Sequence, residues 1–195
     1  MDKLQVINRA LMKVGLPYAA SVNDADWHAA DVYDACVEDV LRSFAWGFAM
    51  ELAALAQTAK PICGFARAYQ LPDDFIRVVD ARTCQDLRSP AMRQIQVRGK
   101  KLYCQESPCY LRYITRNVSE EDWPADFADA VACRIALEIA PLSAQTPGLV
   151  PQLVQLYTRS LAMAQANDAR ENAERVPLDH NILDARGGGH VGKKG

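Results

Sequence analysis

Four stretches of the chain repeat apolar residues every three or four positions, which is the spacing of an amphipathic helix. They lie near residues 3–14, 24–44, 125–140 and 150–173. The second stretch places apolar residues from Ala25 to Phe44 on one side and Asp31, Asp34 and Glu38 on the other. Such a pattern is typical of a helix that covers one side of a core. The sequence therefore predicts four helices.

The middle third of the chain has a different pattern, in which short apolar runs alternate with prolines and glycines. The runs suit β-strands, and the sequence QIQVRGKKLYCQ predicts a hairpin that turns at Gly99 and Lys100. The predicted strands are Ala68–Leu71, Phe75–Ala81, Arg93–Arg98, Lys101–Gln105 and Cys109–Ile114. Just before them, Phe44, Trp46 and Phe48 alternate after the second helix, which predicts an emerging strand whose large rings lie on one face, in the core where helices and strands meet.

These patterns predict a mainly α fold: a four-helix bundle with a small antiparallel β insertion between helices 2 and 3. The helical domain spans residues 1–174, with the insertion at about 48–116. Pro177 stops the last helix, so residues 175–195 are predicted to form an extended C-terminal arm. Apolar side chains on a polar tail are typical of a segment that orders on binding. The predicted docking residues are Pro177, Leu178, Ile182, Leu183 and Arg186.

Residues that could perform catalysis are sparse. The chain lacks the glycine-rich phosphate motifs, the HExxH zinc motif and the GxSxG nucleophile motif. Two groups of acidic residues, at 73–74 and 120–122, leave open a small soluble hydrolase that uses paired carboxylates, although both groups suit turns and helix starts. None of the six cysteines forms a CxxC pair. We therefore expect no catalytic residue, no metal site, no cofactor and free thiols throughout.

Basic residues concentrate in the strand-rich segment: Arg82, Arg88, Arg93, Arg98, Lys100 and Lys101, with Arg112 and Arg116 nearby. Two interpretations stay open, namely a charged strand edge that resists aggregation and a surface that faces phosphates or an acidic partner. The second would allow a DNA-associated regulatory module. The chain as a whole carries a formal net charge of −2, which argues against general nucleic-acid binding. No secretory signal and no membrane span is expected, which favours a protein made in a reducing cytosol.

Several segments, taken in order, resemble the tail tubular protein A family, the head-to-tail adaptors of short-tailed bacteriophages. The segments are INRALMKVG, LRSFAWGFA, YQLPDDFIRVVDA, YLRYITR, WPADFADAVACRIALEIAPLSAQT and LVQLYTRSLAMAQANDAR, which together span about Lys3 to Arg170. Each segment alone is a weak signal, whereas their order is fairly specific. The family has no catalytic motif to transfer to this chain.

The resemblance implies a structural protein of the virion, made in the host cytoplasm and placed at the head–tail junction. It implies a homo-oligomeric ring, twelve-fold in the family, with the portal protein above and a nozzle protein below. Genomic DNA would pass through the ring without sequence-specific binding, and no membrane is involved. The arm at 175–186 would dock on the portal. The hairpin residues Arg98, Lys100 and Lys101 would meet acidic groups of a neighbouring subunit or of the next tail protein.

Overall fold

The computed structural model describes residues 1–24, 28–58, 61–62, 64–86, 88–142 and 148–172. Its four α-helices are α1 (Lys3–Lys13), α2 (Ala29–Ser43), α3 (Ala125–Ile139) and α4 (Leu149–Glu171). Six strands lie between α2 and α3: β1 (Met50–Ala54), β2 (Arg67–Gln70), β3 (Phe75–Arg82), β4 (Ile95–Arg98), β5 (Lys101–Cys104) and β6 (Tyr110–Thr115). No helix in the described ranges is long and apolar enough to span a membrane.

The strands form two antiparallel sheets of three strands each. Sheet A has the order β1-β6-β3, and sheet B has the order β2-β5-β4. One face of sheet A contributes Ile76 and Ile114 to the core beneath the helices. The other face shares a second buried core with sheet B, built from residues such as Tyr69, Leu102 and Leu111. Sheet A is therefore the layer that joins the helices to sheet B.

The predicted fold class is wrong, because the described residues form a mixed α/β structure, with about 47% of them in helices and 20% in strands. Sequence patterning treated the strands as a small insertion because each is short and is bounded by turn residues. In the structure they pair over long sequence distances and enclose a core of their own, which local patterns do not show. β1 was also missed: Trp46 is buried as expected, but a short 3-10 helix (Gly47–Ala49) follows it before the strand begins.

The helices do not form a four-helix bundle either, because α3 lies in the middle and packs against each of the other three. Its buried positions surround the whole helix, from Phe127 to Ile139, and many of them are alanines. Small side chains let the neighbouring helices approach closely, and a helix that is apolar on every side is buried. α4 packs chiefly on α3, so it forms an outer layer.

Two local features explain where the first helices begin. Asp2 and Gln5 form a capping box at the start of α1, in which each side chain accepts a backbone N–H of the other residue. α2 begins at Ala29, later than the predicted position near residue 24, because His28 has a left-handed backbone with a φ of 61° and cannot belong to the helix.

Candidate interaction surfaces

The β4–β5 hairpin carries the three basic residues predicted as an interface. Arg98 and Lys101 pair across the end of the ladder, and Gly99 takes the positive φ of 60° that the turn requires. Arg98 and Lys100 are exposed, whereas Lys101 is half-buried. The Lys100 Nζ lies 3.4 Å from the Asp73 Oδ1, and the Lys100 carbonyl accepts a hydrogen bond from the Leu71 amide at 3.0 Å. The turn is therefore tied to the β2–β3 connection.

The other basic residues of the middle segment do not form one continuous edge. Arg82 and Arg112 both contact Asp80 on sheet A, with nitrogen–oxygen distances of 3.1 and 3.5 Å. Arg116 instead pairs with Glu38 of α2 at 2.9 Å, on the side that faces the helices. Sequence proximity grouped these side chains, whereas the alternation of strand faces and the long connections separate them. Arg82 and Arg112 are thus separated from the hairpin, whereas Arg116 lines the same cavity as Lys100 of the hairpin.

A polar cavity of about 390 Å³ lies where the end of α2 meets the two sheets. Arg42, Lys100 and Arg116 contribute three positive charges to its wall, while Glu38 and Asp73 contribute two negative ones. Glu38 contacts both arginines, with distances of 3.0 Å to Arg42 and 2.9 Å to Arg116, so these guanidinium groups are held in place. The wall also contains apolar side chains from the loop before β3 and from the first two residues of β3: Leu71, Pro72, Phe75 and Ile76.

A neighbouring cavity of about 270 Å³ shares Glu38 and Arg116 with the first and lies between α2 and the segment before α3. Tyr33 and Trp123 line it with rings that lie almost parallel, 6.5 Å apart. Burial, followed by the nearby Glu120 carboxylate, raises the pKa of the Tyr33 hydroxyl above its ordinary value. The Trp123 Nε1 is a buried donor without a hydrogen-bond partner in the described part of the chain. Trp123 therefore lines the cavity with its ring, while its N–H is buried.

The acidic residues that suggested a hydrolase lie in turns, and several of them contact other side chains of the fold. Asp74 accepts hydrogen bonds from the hydroxyls of Tyr113 and Thr115, and Asp73 pairs with Lys100. The acidic group at 120–122 forms a 3-10 turn whose first residues follow the Ser119 cap. These carboxylates lie in turns, as expected for capping groups. No cluster of three or more potential metal ligands occurs among the described residues.

The cysteines within the described ranges are free thiols: Cys36, Cys84, Cys104, Cys109 and Cys133. Burial raises the pKa of the Cys36 thiol to about 11 and that of Cys109 to about 12. A thiol with a pKa far above neutral carries almost no thiolate, which is the reactive form. Cys63 lies outside the described residues.

α4 presents large apolar side chains to solvent on both sides of the face that contacts α3. Their exposed fractions range from 38% to 53%: Val150, Val154, Leu156 and Met163. Only Leu153, Ala164 and Asp168 of this helix are buried. The apolar spacing of Leu153, Leu156, Tyr157, Leu161 and Ala164 predicts that these residues form the buried stripe of this helix. The prediction is wrong for Leu156, which is exposed.

The C-terminal end of α4 is attached to the segment that contains Trp46. The Asp168 carboxylate accepts the Gly47 backbone N–H at 2.9 Å, and the Asn172 side chain lies against Gly47, where a Cβ atom would collide with it. Burial, more than any other cause, raises the pKa of Asp168. The predicted docking residues Pro177, Leu178, Ile182, Leu183 and Arg186 lie outside the described residues, so their role stays a prediction.

Neither the protein-family models nor the curated proteins include a match to this sequence.

Proposed function

We propose that the protein is a structural adaptor of a bacteriophage virion, whose copies form a ring between the portal protein and the tail nozzle around the DNA exit channel. The proposal begins from the ordered segments that resemble the tail tubular protein A family. A ring subunit needs two different surfaces that meet when copies are related by rotation. In this proposal the protein acts through its surfaces and carries out no catalysis.

The observation that carries the proposal is the outer surface of α4. Val150, Val154, Leu156 and Met163 leave a large apolar area exposed on a helix that packs chiefly on α3. Val150 and Val154 lie one turn apart on one side of α4, whereas Leu156 and Met163 lie two turns apart on the other side, so the exposed apolar side chains form two strips. Exposed apolar strips of this kind on a folded protein are candidate sites of protein–protein contact. A neighbouring copy that covers this helix would bury these side chains.

A second observation that supports the proposal is the contact between two of the segments that resemble the family. The LRSFAWGFA segment of the resemblance contains Trp46, which is fully buried and packs edge-on against Phe127 of α3 at a ring-centroid distance of 5.0 Å. The FADAVACRIALEIA segment begins at the same Phe127 and forms the central helix. Two segments of the resemblance are thus in contact at the centre of the helical core. Their sequences serve packing, and the surface around them is available for assembly.

Assembly can be tested by mixing the full-length protein with purified portal rings and measuring particle mass and shape by mass photometry and negative-stain microscopy. The proposal predicts a ring of adaptor copies on one end of the portal. Val154→Asp should weaken ring formation at least tenfold, because a charge in an apolar contact is costly. Leu52→Asp is the matched control, since Leu52 is exposed to a similar extent on β1. Absence of any complex with the portal protein of the same phage would contradict the proposal.

The hairpin and the arm have separate roles in this proposal. Reversing the charges of Lys100 and Lys101 should weaken assembly more at low salt than at high salt, because exposed ion pairs are screened. Truncation after Glu174 should leave the fold intact and strongly weaken portal attachment. Replacing Leu178, Ile182 and Leu183 together by Ser should cause most of the same loss. Undiminished attachment of both variants would show that the helical surfaces alone bind the portal.

A further inference from the structure

The basic cavity between α2 and the sheets has the properties of a peptide-binding site. Arg42, Lys100 and Arg116 give it a net positive charge, since only Glu38 and Asp73 oppose them in its wall. The Arg77 guanidinium adds a further positive charge nearby, because its Nη1 donates to the Arg42 carbonyl at 3.1 Å. Side chains such as Phe75 and Leu71 supply an apolar part of the wall. A suitable occupant would combine apolar side chains with carboxylates.

Residues 178–184 of the same chain, LDHNILD, have that composition. Asp179 and Asp184 flank the apolar pair Ile182 and Leu183, and the segment contains no Lys or Arg. The carboxylates could pair with the cations of the cavity while the aliphatic side chains contact its apolar wall. The basic residues Arg175 and Arg186 lie outside this acidic and apolar stretch.

The reach of the chain allows this contact within one subunit. Asn172 lies against Gly47, and Arg42 lies five residues before Gly47 in the sequence. Five residues span at most about 18 Å, and the seven residues from Asn172 to Asp179 span at most about 25 Å when fully extended. Asp179 can therefore reach Arg42 in the cavity wall from the end of α4.

We propose that residues 178–184 dock in the basic cavity of their own subunit through Asp179, Asp184 and the Ile182–Leu183 pair. What this docking means for assembly rests on the proposed function. While the segment occupies the cavity it cannot bind the portal, and the portal must compete with the cavity for Ile182 and Leu183. Binding to the portal would then release Lys100 and the hairpin for contact with a neighbour.

Methyl NMR on the full-length protein tests this proposal directly. With the Ile182 methyl group assigned from an Ile182→Val spectrum, docking predicts nuclear Overhauser effects between this methyl group and the Phe75 ring. Lys100→Glu should weaken these signals several-fold, and adding Asp179→Lys to that variant should restore them. Lys101→Glu is the matched control, because Lys101 is adjacent in sequence and is not part of the cavity wall. An Ile182 methyl group at its random-coil shift without these signals would overturn the proposal.

A cross-linking experiment decides between one subunit and two. A carbodiimide joins a carboxylate directly to an amine, so the Lys100–Asp73 pair at 3.4 Å provides an internal reference. Cross-links from Lys100 to Asp179 in a mixture of isotopically light and heavy protein should join only fragments of equal label. Mixed-label products would overturn docking within the subunit and place the segment on a second copy. Portal attachment is measured separately, so a failure here leaves the adaptor function to be judged by its own experiment.

Discussion

α3 and α4 are consecutive helices that pack against each other, yet their surroundings differ. α3 is enclosed by three helices and buries apolar residues on every side, whereas α4 buries three residues and leaves four large apolar side chains exposed. The difference indicates a division of roles, because buried apolar area stabilises the fold and exposed apolar area favours contact with other chains. α3 is the centre of the helical core, and α4 is the surface that we propose for assembly.

Replacing a buried side chain of α3 by alanine should have the largest effect on stability. Phe127→Ala or Ile135→Ala removes a fully buried side chain from the central helix and should lower the free energy of unfolding by about 2–5 kcal/mol. Chemical denaturation monitored by circular dichroism measures the loss. If both variants lost less than about 0.5 kcal/mol, α3 would not be the centre of the core.

Removing the hydrogen bond that attaches the C-terminal end of α4 should lower the free energy of unfolding by an intermediate amount. Asp168→Ala leaves the Gly47 N–H without its acceptor and should cost about 1 kcal/mol, the usual net effect of losing one hydrogen bond. Asp168→Asn keeps an acceptor oxygen and removes a charge whose burial raises the pKa of the carboxyl group. We therefore expect Asp168→Asn to be as stable as the unmodified protein near pH 7. Equal losses for the two variants would show that the charge itself stabilises this end of α4.

The contact among α1, α3 and α4 at Asp129 should make stability depend on acid pH. Burial alone would raise the pKa of Asp129, but Lys13 at 2.9 Å and the Ser160 hydroxyl outweigh it and hold the pKa below its ordinary value. A lowered pKa means that the carboxylate stabilises the fold above about pH 4 and loses this contribution as the pH falls through its folded-state pKa. Thermal melts should show a shallower decline in stability below about pH 4 for Asp129→Asn. If the stability of Asp129→Asn fell with decreasing pH as steeply as that of the unmodified protein, Asp129 would not be the source of this pH dependence.

Substitutions of the exposed apolar residues of α4 should change stability least. Leu156→Ala and Met163→Ala remove side chains that are 38% and 53% exposed, so each should change the unfolding free energy by less than about 0.5 kcal/mol. Their effect should instead be seen in ring formation on the portal. A stability loss comparable to that of Phe127→Ala would show that α4 belongs to the core and would remove the contrast between the two helices.

Local patterns were sufficient for several parts of the fold. The spacing of Leu4, Ile7, Leu11 and Val14 predicts the buried side of α1; the last three residues are buried and Leu4 is half-buried. The turn at Gly99 and the strands on either side of it also follow from short-range signals, because a hairpin pairs neighbouring residues. The Phe44–Trp46–Phe48 pattern predicts a buried aromatic group, and Trp46 is buried at the junction of helices and sheet.

The candidate cavity could not be predicted in the same way. Its walls combine Arg42 from α2, Asp73 and Lys100 from two connections within the sheets, and Arg116 from the end of β6. No spacing in the sequence relates residues that far apart, so only the pairing of strands and the packing of α2 bring them together. The same reason explains why Arg82 and Arg112, grouped with Lys100 by sequence, share Asp80 on sheet A.

Local sequence patterns were enough to predict where the helices and most strands form, because periodicity, caps and turn residues act over only a few positions. Tertiary structure decided the fold class, because strand partners such as β1 and β6 are about sixty residues apart and no local preference selects them. It also decided which apolar stripe is buried. α3 and α4 both carry apolar stripes, but three neighbouring helices cover α3 and only one covers α4 extensively. Burial is a property of what surrounds a residue, and those surroundings arise only when distant parts of the chain pack together.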